Sequence, residues 1–375
     1  MRELDAILDV WSEAPLAPGV LATVVHVEGS AYRRPGARML ISADGSRRIG
    51  TISGGCLEGD VAKKAAWWTA SGDPIVRVYD TTSDDDAVWE FGLGCNGVIH
   101  ILLERVESTR TQELLAYLAA GRRERRKRVV GTVVRSTRQS PYRTGDHLFN
   151  FRGELAAPAT QTLSERRSRL VHLPAADVFL EYIAPPQRLI IFGAGHDVIP
   201  VVALAASLGW EVTVADVRSG YAKPDRFPGA ARVLLLPPDG DASSVPVDPA
   251  SAVVLMTHNL LLDAKLLPQL RKLRPVYLGV LGPKARFARL LEETELDPSK
   301  MDVYSPAGLD LGGDSPAAIA LAIVAEVQAR LHRREGGSLR WSSRPIHEPA
   351  QEVNFSAVPL AIEEPTVATC EIVYG

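Results

Sequence analysis

From Arg188 onward, short apolar β-branched runs alternate with segments of helical period, and no other feature restricts the fold as much. Runs at 188–192, 211–215, 231–236, 252–257 and 276–279 read as strands, and 197–208, 260–273 and 283–293 as helices between them. Strands that are apolar throughout and separated by helices form a parallel sheet covered on both faces. The predicted class is α/β: a mixed α+β N-terminal domain over 1–185, then a Rossmann-like doubly wound domain over 186–334. Pro185-Pro186 marks the boundary, since consecutive prolines fit neither a helix interior nor a central strand. A final helix should open at Ser315, a good N-cap with Pro316 at the first helical position, and run to about Leu331. Residues 335–375 form a polar, Gly/Pro-interrupted tail with little pattern; its Cys370 reads as incidental.

The N-terminal half reads as a helix and several strands. An apolar run at 19–27 is a buried strand, and runs at 39–42 and 49–53 flank Asp44-Gly45, a hairpin signal. A helix is predicted over 57–70, strands over 75–79 and 98–103, a helix from Thr109 and a strand over 129–134. Residues 135–175 are polar and read as irregular.

Composition excludes several classes. The 375 residues carry a net charge of −3, so the whole molecule has no bias toward nucleic acid. The block Arg122–Arg128 reads as a solvated helix end and turn. No window approaches the roughly 18 consecutive apolar residues of a membrane span, and the N-terminus lacks a secretory pattern. Three cysteines, an odd number, argue against a disulfide framework and fit a reducing cytoplasm. Ser-His-Asp order, HExxH and paired CxxC motifs do not occur.

In the second half, Gly193-Ala194-Gly195-His196 lies between a predicted strand and helix, where unpaired amides and the helix dipole favour a phosphate. Asp216 follows Gly193 by 23 residues, near the spacing of a ribose-binding acid, although Val198 replaces the third glycine of that fingerprint. Arg218 would favour an additional phosphate. Other predicted strand ends reach the same crevice through His258, Asp263, Gly282 and Lys284; His258 reads equally as a structural hydrogen-bonding group or a ligand contact.

In the first half, cysteine stands among glycines twice, in Ser53-Gly54-Gly55-Cys56-Leu57-Glu58 and in Gly92-Leu93-Gly94-Cys95-Asn96-Gly97. Such turns crowd amides around a ligand while displaying one thiol, which suits a soft metal, sulfur transfer or covalent chemistry. A loop with Ser30, Arg33, Arg34 and Arg38 adds hydroxyl and guanidinium groups suited to an oxyanion. Asp84, Asp85, Asp86 and Glu90 read as an exposed acidic loop. Cys56 and Cys95 remain alternatives for the ligand contact.

The order of these motifs resembles the XdhC/CoxI family of xanthine dehydrogenase accessory proteins. GSAYRRPGARM, GTISGGCLEGDV and FGLGCNG are similar to its N-terminal signature, with Asn96 where glycine is usual. LIIFGAGHDVIP, VADVRSGY, THNLLLDAKLL and YLGVLGPKARF are similar to its Rossmann domain. The resemblance implies a maturation factor that binds molybdenum cofactor, assists its sulfuration and hands it to a molybdenum hydroxylase apo-enzyme. It also implies a cytoplasmic homodimer, with a cysteine desulfurase as a further partner, that is a cofactor-binding chaperone rather than a catalyst. On that reading Cys56 or Cys95 meets the metal or carries sulfur, with Cys56 the metal ligand. Ser30, Arg33, Arg34, Arg38, Ser53, Gly54, Gly55, Glu58, Gly94 and Gly97 hold the cofactor, with Gly193, Gly195, His196, Asp216, Arg218, His258, Asp263, Gly282 and Lys284 in the second domain. The alternatives are an NAD(P)-dependent oxidoreductase, or a nucleotidyl-handling enzyme acting on the pterin through Lys284 and Asp263.

Overall fold

A computed structural model describes residues 2–15, 17–80, 97–297, 302–343 and 351–354. The chain divides into two compact units with the sequence boundary between Pro185 and Pro186. In the first, helix α1 (Arg2–Glu13) precedes strands β1 (Gly19–Gly29), β2 (Arg38–Ser42) and β3 (Arg48–Gly50), helix α2 (Glu58–Trp68), and strands β4 (Ile75–Asp80) and β5 (Gly97–Arg105). The five strands form an antiparallel sheet in the order β3-β2-β1-β5-β4. The Asp44-Gly45 turn joins β2 to β3 with Leu40 opposite Ile49, and Gly45 takes φ +70° there.

Thr23 apart, β1 is apolar from Gly19 to Val25 because both of its faces are covered there. Val20, Ala22 and Val24 pack with Ile101 and Leu103 of β5 against Val61 and Ala65 of α2. Leu21 points the other way, toward Ile7 and Leu8 of α1 and Leu114 and Leu118 of helix α3 (Thr109–Glu124). Each fully buried Val, Leu or Ile among them contributes about 1.5–3 kcal/mol. Ser108 starts α3 by accepting a hydrogen bond from the Thr111 amide at 3.3 Å. The basic block closes the helix as a charged end: Arg122 pairs with Asp5 and Asp9, and Arg125 turns left-handed at φ 53°.

Residues 135–175, expected to be irregular, hold part of a second sheet. Strand β7 (His147–Leu148), helix α4 (Ala156–Glu165) and strand β8 (Arg169–His172) occupy this stretch, between β6 (Arg128–Ser136), the strand expected over 129–134, and β9 (Ala176–Ile183). Helix α4 is hard to read because it buries only Pro158, Ala159 and Thr162. β9 is masked by acids within its apolar run. Both are buried and compensated, Asp177 by Arg135 at 2.6 Å and His172 at 2.9 Å, and Glu181 by Arg38 at 2.5 Å.

The second unit carries strands β10 (Arg188–Phe192), β11 (Glu211–Asp216), β12 (Arg232–Leu235), β13 (Ala252–Leu255) and β14 (Tyr277–Val280), all parallel, in the order β12-β11-β10-β13-β14. Helices α5 (Val198–Ser207), α6 (Leu260–Leu273), α7 (Lys284–Thr294) and α8 (Pro316–Leu331) cover it. Alternate residues of β10 serve the two faces: Leu189 and Ile191 meet α5 and α8, while Ile190 and Phe192 meet Leu266, Leu270 and Leu290 of α6 and α7. This is the doubly wound sheet the alternation predicts. Ser315 caps α8, accepting from the Ala318 amide at 3.2 Å.

The tail also departs from expectation. Strand β15 (Gln351–Asn354) joins the second sheet of the first unit, pairing parallel with β8 and completing the order β15-β8-β9-β6-β7. Among the described residues no helix is long and apolar enough to cross a membrane.

Candidate functional site

At one end of the first sheet, the loop after β1 and the loop after β3 lie against each other. The Tyr32 ring sits where a side chain on Gly54 would be, 2.8 Å from an ideal Cβ position, and Gly54 takes φ +129°. Glu3 of α1 ties both loops, pairing with the Arg33 guanidinium and accepting from the Thr51 hydroxyl at 3.5 Å. Gly97, opposite Gly29 at the start of β5, lies so close to the backbone oxygens of Glu28 and Ser30 that a Cβ would stand 2.6 and 2.5 Å from them. Ser30, Arg33, Ser53, Gly54, Gly55, Cys56 and Gly97 are thus brought to the same strand ends. The Cys56 thiol is free and exposed, as are Ser30 and most of Tyr32.

The amides of the Gly-Cys loop, expected to grip a ligand, grip Glu58 instead. Its carboxylate accepts from the amides of Ile52 at 3.0 Å, Ser53 at 2.8 Å, Gly54 at 3.2 Å and Gly55 at 2.9 Å. The Ser53 hydroxyl donates to it at 2.5 Å and accepts from the Leu57 amide at 2.9 Å. Burial alone would raise the Glu58 pKa, but the Ser53 hydroxyl and the loop amides outweigh it and bring it down to about 2. Glu58 is an internal anion that shapes the loop and leaves Cys56 as its displayed group. Ser53 and Glu58 therefore act as supports for that group.

The three arginines separate. Arg38 is buried at 4% exposure and bonds both carboxylate oxygens of Glu181, at 2.8 and 2.5 Å, so it is a structural ion pair and not an anion grip. Arg33 is committed to Glu3. Arg34 has no carboxylate partner among the described residues, and its Nε is buried without an acceptor. Such an orphaned donor is costly unless a further group meets it.

In the second unit, Gly193, Gly195, Asp216, Arg218, His258, Gly282 and Lys284 all follow or end strands on the C-terminal edge of the sheet, with Gly282 and Lys284 at β14, three strands from Asp216. Gly193, at φ +121°, has no room for a Cβ, which would stand 2.2 Å from the Met256 carbonyl. Asp216 is buried; it accepts from the Ala194 amide at 2.7 Å and from the Arg218 guanidinium at 2.7 and 3.0 Å. Burial would raise its pKa, but Arg218 and the backbone amides lower it. Both oxygens are taken, so the carboxylate expected to hold a ribose holds the Gly-rich turn to β11. Asp263 likewise faces inward: it is buried, accepting from the Thr257 hydroxyl at 2.6 Å and Arg286 at 2.7 Å, and is a packing group rather than a pocket acid. His196 and Lys284 are exposed.

His258 is exposed and left-handed at φ 57°, and its Nε2 lies 2.8 Å from Asp197. Sequence reasoning missed Asp197 as its partner, although it directly follows the Gly-rich turn. A left-handed backbone costs a non-glycine residue about 1–2 kcal/mol, less for histidine than for most. Replacing His258 with Gly should therefore leave unfolding stability within about 1 kcal/mol of wild type, as strain relief offsets the lost exposed bond. Chemical denaturation checks this, and a larger loss would mean that the bond matters structurally.

Sequence reasoning also missed Tyr32, visible only once its ring is seen against Gly54. The second Gly-Cys turn, with Gly94, Cys95 and Asn96, lies outside the described residues, as do the acidic residues 84–86 and 90 and Cys370.

The sequence profile of the XdhC Rossmann domain matches residues 189–327, and that of the XdhC and CoxI family matches residues 14–80. The chain is 37% identical over 331 residues to a Bacillus subtilis protein named as a probable subunit of xanthine dehydrogenase, covering 86% of this chain and 95% of that one. It is 29% identical over 330 residues to the Escherichia coli molybdenum cofactor insertion chaperone PaoD, covering 86% and 87%. A crystal structure described as a xanthine dehydrogenase from Bacillus halodurans superposes with a TM-score of 0.71 at 30% identity, covering 92% of this chain and 98% of that one. With both of its sequence signatures present and in order, this chain belongs to the XdhC and CoxI family.

Proposed function

We propose that this chain is a maturation factor that binds molybdenum cofactor and passes it to a molybdenum hydroxylase apo-enzyme, as the name of its relative PaoD suggests. The observation that carries this reading is the exposed Cys56 thiol on a loop whose amides are already satisfied by Glu58. When bound, the cofactor supplies a soft, oxophilic metal with sulfur ligands and an anionic phosphate end. The donor set fits it. A thiol suits the metal, the open guanidinium of Arg34 suits the phosphate, and the exposed face of Tyr32 suits a planar ring. Arg33, held by Glu3, fixes the loop that carries Tyr32 and Arg34.

The finer parts of this reading are that the chain holds the cofactor while a cysteine desulfurase supplies sulfur, and that it works as a cytoplasmic homodimer. A nicotinamide cofactor at the Gly193 turn has less support, because Arg218 and the Ala194 amide occupy the Asp216 carboxylate. Molybdenum and pterin content after purification from molybdenum-replete cells tests the main reading. Wild type should carry both, and Cys56→Ser should carry at least tenfold less of each. Equal content in the two proteins would remove Cys56 from the site.

A further inference from the structure

A set of metal-ligating side chains that the reading above does not use lies on the first sheet. β1 and β5 pair in regular antiparallel register up to Val24 opposite Ile101, and the next pair is His26 opposite His100. Val25 is the extra residue of a β-bulge. Without it, Val25 would face His100 and His26 would face Ile99. Bulges re-aim side chains in this way. Here the result is two imidazoles directly across the strand pair, with ring centroids 5.1 Å apart. Glu28, two residues beyond His26, falls on the same face by strand periodicity. Its Oε1 lies 3.7 Å from His26 Nε2 and 3.3 Å from His100 Nε2.

One ligand atom from each of the three residues falls within 4.8 Å of the others. An ion bound at about 2.0–2.2 Å to two imidazole nitrogens and a carboxylate oxygen spaces those atoms by roughly 3–3.5 Å, so little movement is required. The imidazoles are largely sunk, with side-chain exposures of 13% for His26 and 26% for His100, while Glu28 is 58% exposed. The supporting strands are fixed from the opposite face by Val27, Ile99 and Ile101 in the core. An ion there would be held on one side and open on the other.

We propose that His26, His100 and Glu28 form a binding site for a first-row divalent transition-metal ion, with open coordination positions facing outward. Two imidazoles and one carboxylate favour zinc, iron, nickel or copper over calcium or magnesium, which prefer all-oxygen sets. The site does not depend on the cofactor reading, since none of its three ligands is used there.

The test uses the full-length chain without a polyhistidine tag, stripped with chelator and titrated with Co²⁺ under visible spectroscopy and with Zn²⁺ by calorimetry. One ion per chain should bind at micromolar concentration, giving cobalt ligand-field bands without sulfur-to-cobalt charge transfer. His26→Gln combined with His100→Gln should weaken binding at least tenfold. Glu28→Gln, at an exposed position that should not disturb folding, should weaken it as well, while Cys56→Ser should bind as wild type does. The proposal is overturned if wild type binds neither ion at millimolar concentration. It is equally overturned if Glu28→Gln and a folded double variant both bind with wild-type affinity, or if a sulfur charge-transfer band appears and disappears in Cys56→Ser.

Discussion

Arg38→Met is expected to destabilise the first unit by about 3–5 kcal/mol, because it leaves the Glu181 carboxylate buried without its counter-charge. Glu181→Leu should cost a similar amount, stranding the guanidinium instead. The double variant Arg38→Met/Glu181→Leu should regain most of the loss, since replacing both charges with apolar groups leaves no unpaired ion. Urea unfolding of the four proteins gives the cycle. If Arg38→Met alone unfolds within about 1 kcal/mol of wild type, the pair does not hold β2 to β9. Additive losses in the double variant would show instead that each side chain matters through its own packing.

Glu58→Ala should cost about 3 kcal/mol, because four loop amides and the Ser53 hydroxyl lose their shared acceptor. The effect depends on pH with a definite sign. A carboxylate whose pKa is lowered on folding stabilises the folded state fully above its ordinary value of 4.5, and that contribution fades as pH falls toward about 2. Wild-type stability should therefore fall on acidification through this window more steeply than that of Glu58→Gln, which has no charge to lose. Parallel acid titrations of unfolding would contradict the assignment. Peptide-resolved alkylation adds a functional readout: without Glu58 the loop should lose its fixed shape, and the rate at Cys56 should change even where the rest of the unit remains folded.

The parallel sheet was legible because each of its strands is mostly apolar and alternates with a segment of helical length. Ser315 and Pro316 even located the start of α8. β9, the central strand of the second sheet, was hidden for the opposite reason. Asp177 and Glu181 interrupt β9, and their compensation comes from Arg135 and Arg38, far away in sequence. The same long-range pairing explains the site. Sequence located the loops and the thiol, because glycine patterns are local. Arg38, Glu58, Asp216 and Asp263, expected to face a ligand, are held by protein partners, and a charged residue beside a loop reads identically in sequence whichever it faces. Arg33, Arg34 and Arg38 each carry a buried Nε without an acceptor, but Arg33 and Arg38 also hold a carboxylate, and Arg34 holds none among the described residues. His26 and His100 were invisible for a related reason, since a one-residue bulge decides which residue His100 faces.

The central claim is that the cofactor meets this chain at the Cys56 loop, and protection of that thiol tests it most directly. The chain would be treated with an alkylating reagent, once free of cofactor and once loaded with molybdenum cofactor, and modification read peptide by peptide by mass spectrometry. Cys56 should be alkylated rapidly in the cofactor-free chain and at least tenfold more slowly in the loaded one. Equal rates at Cys56 in a chain shown to carry stoichiometric cofactor would contradict the claim.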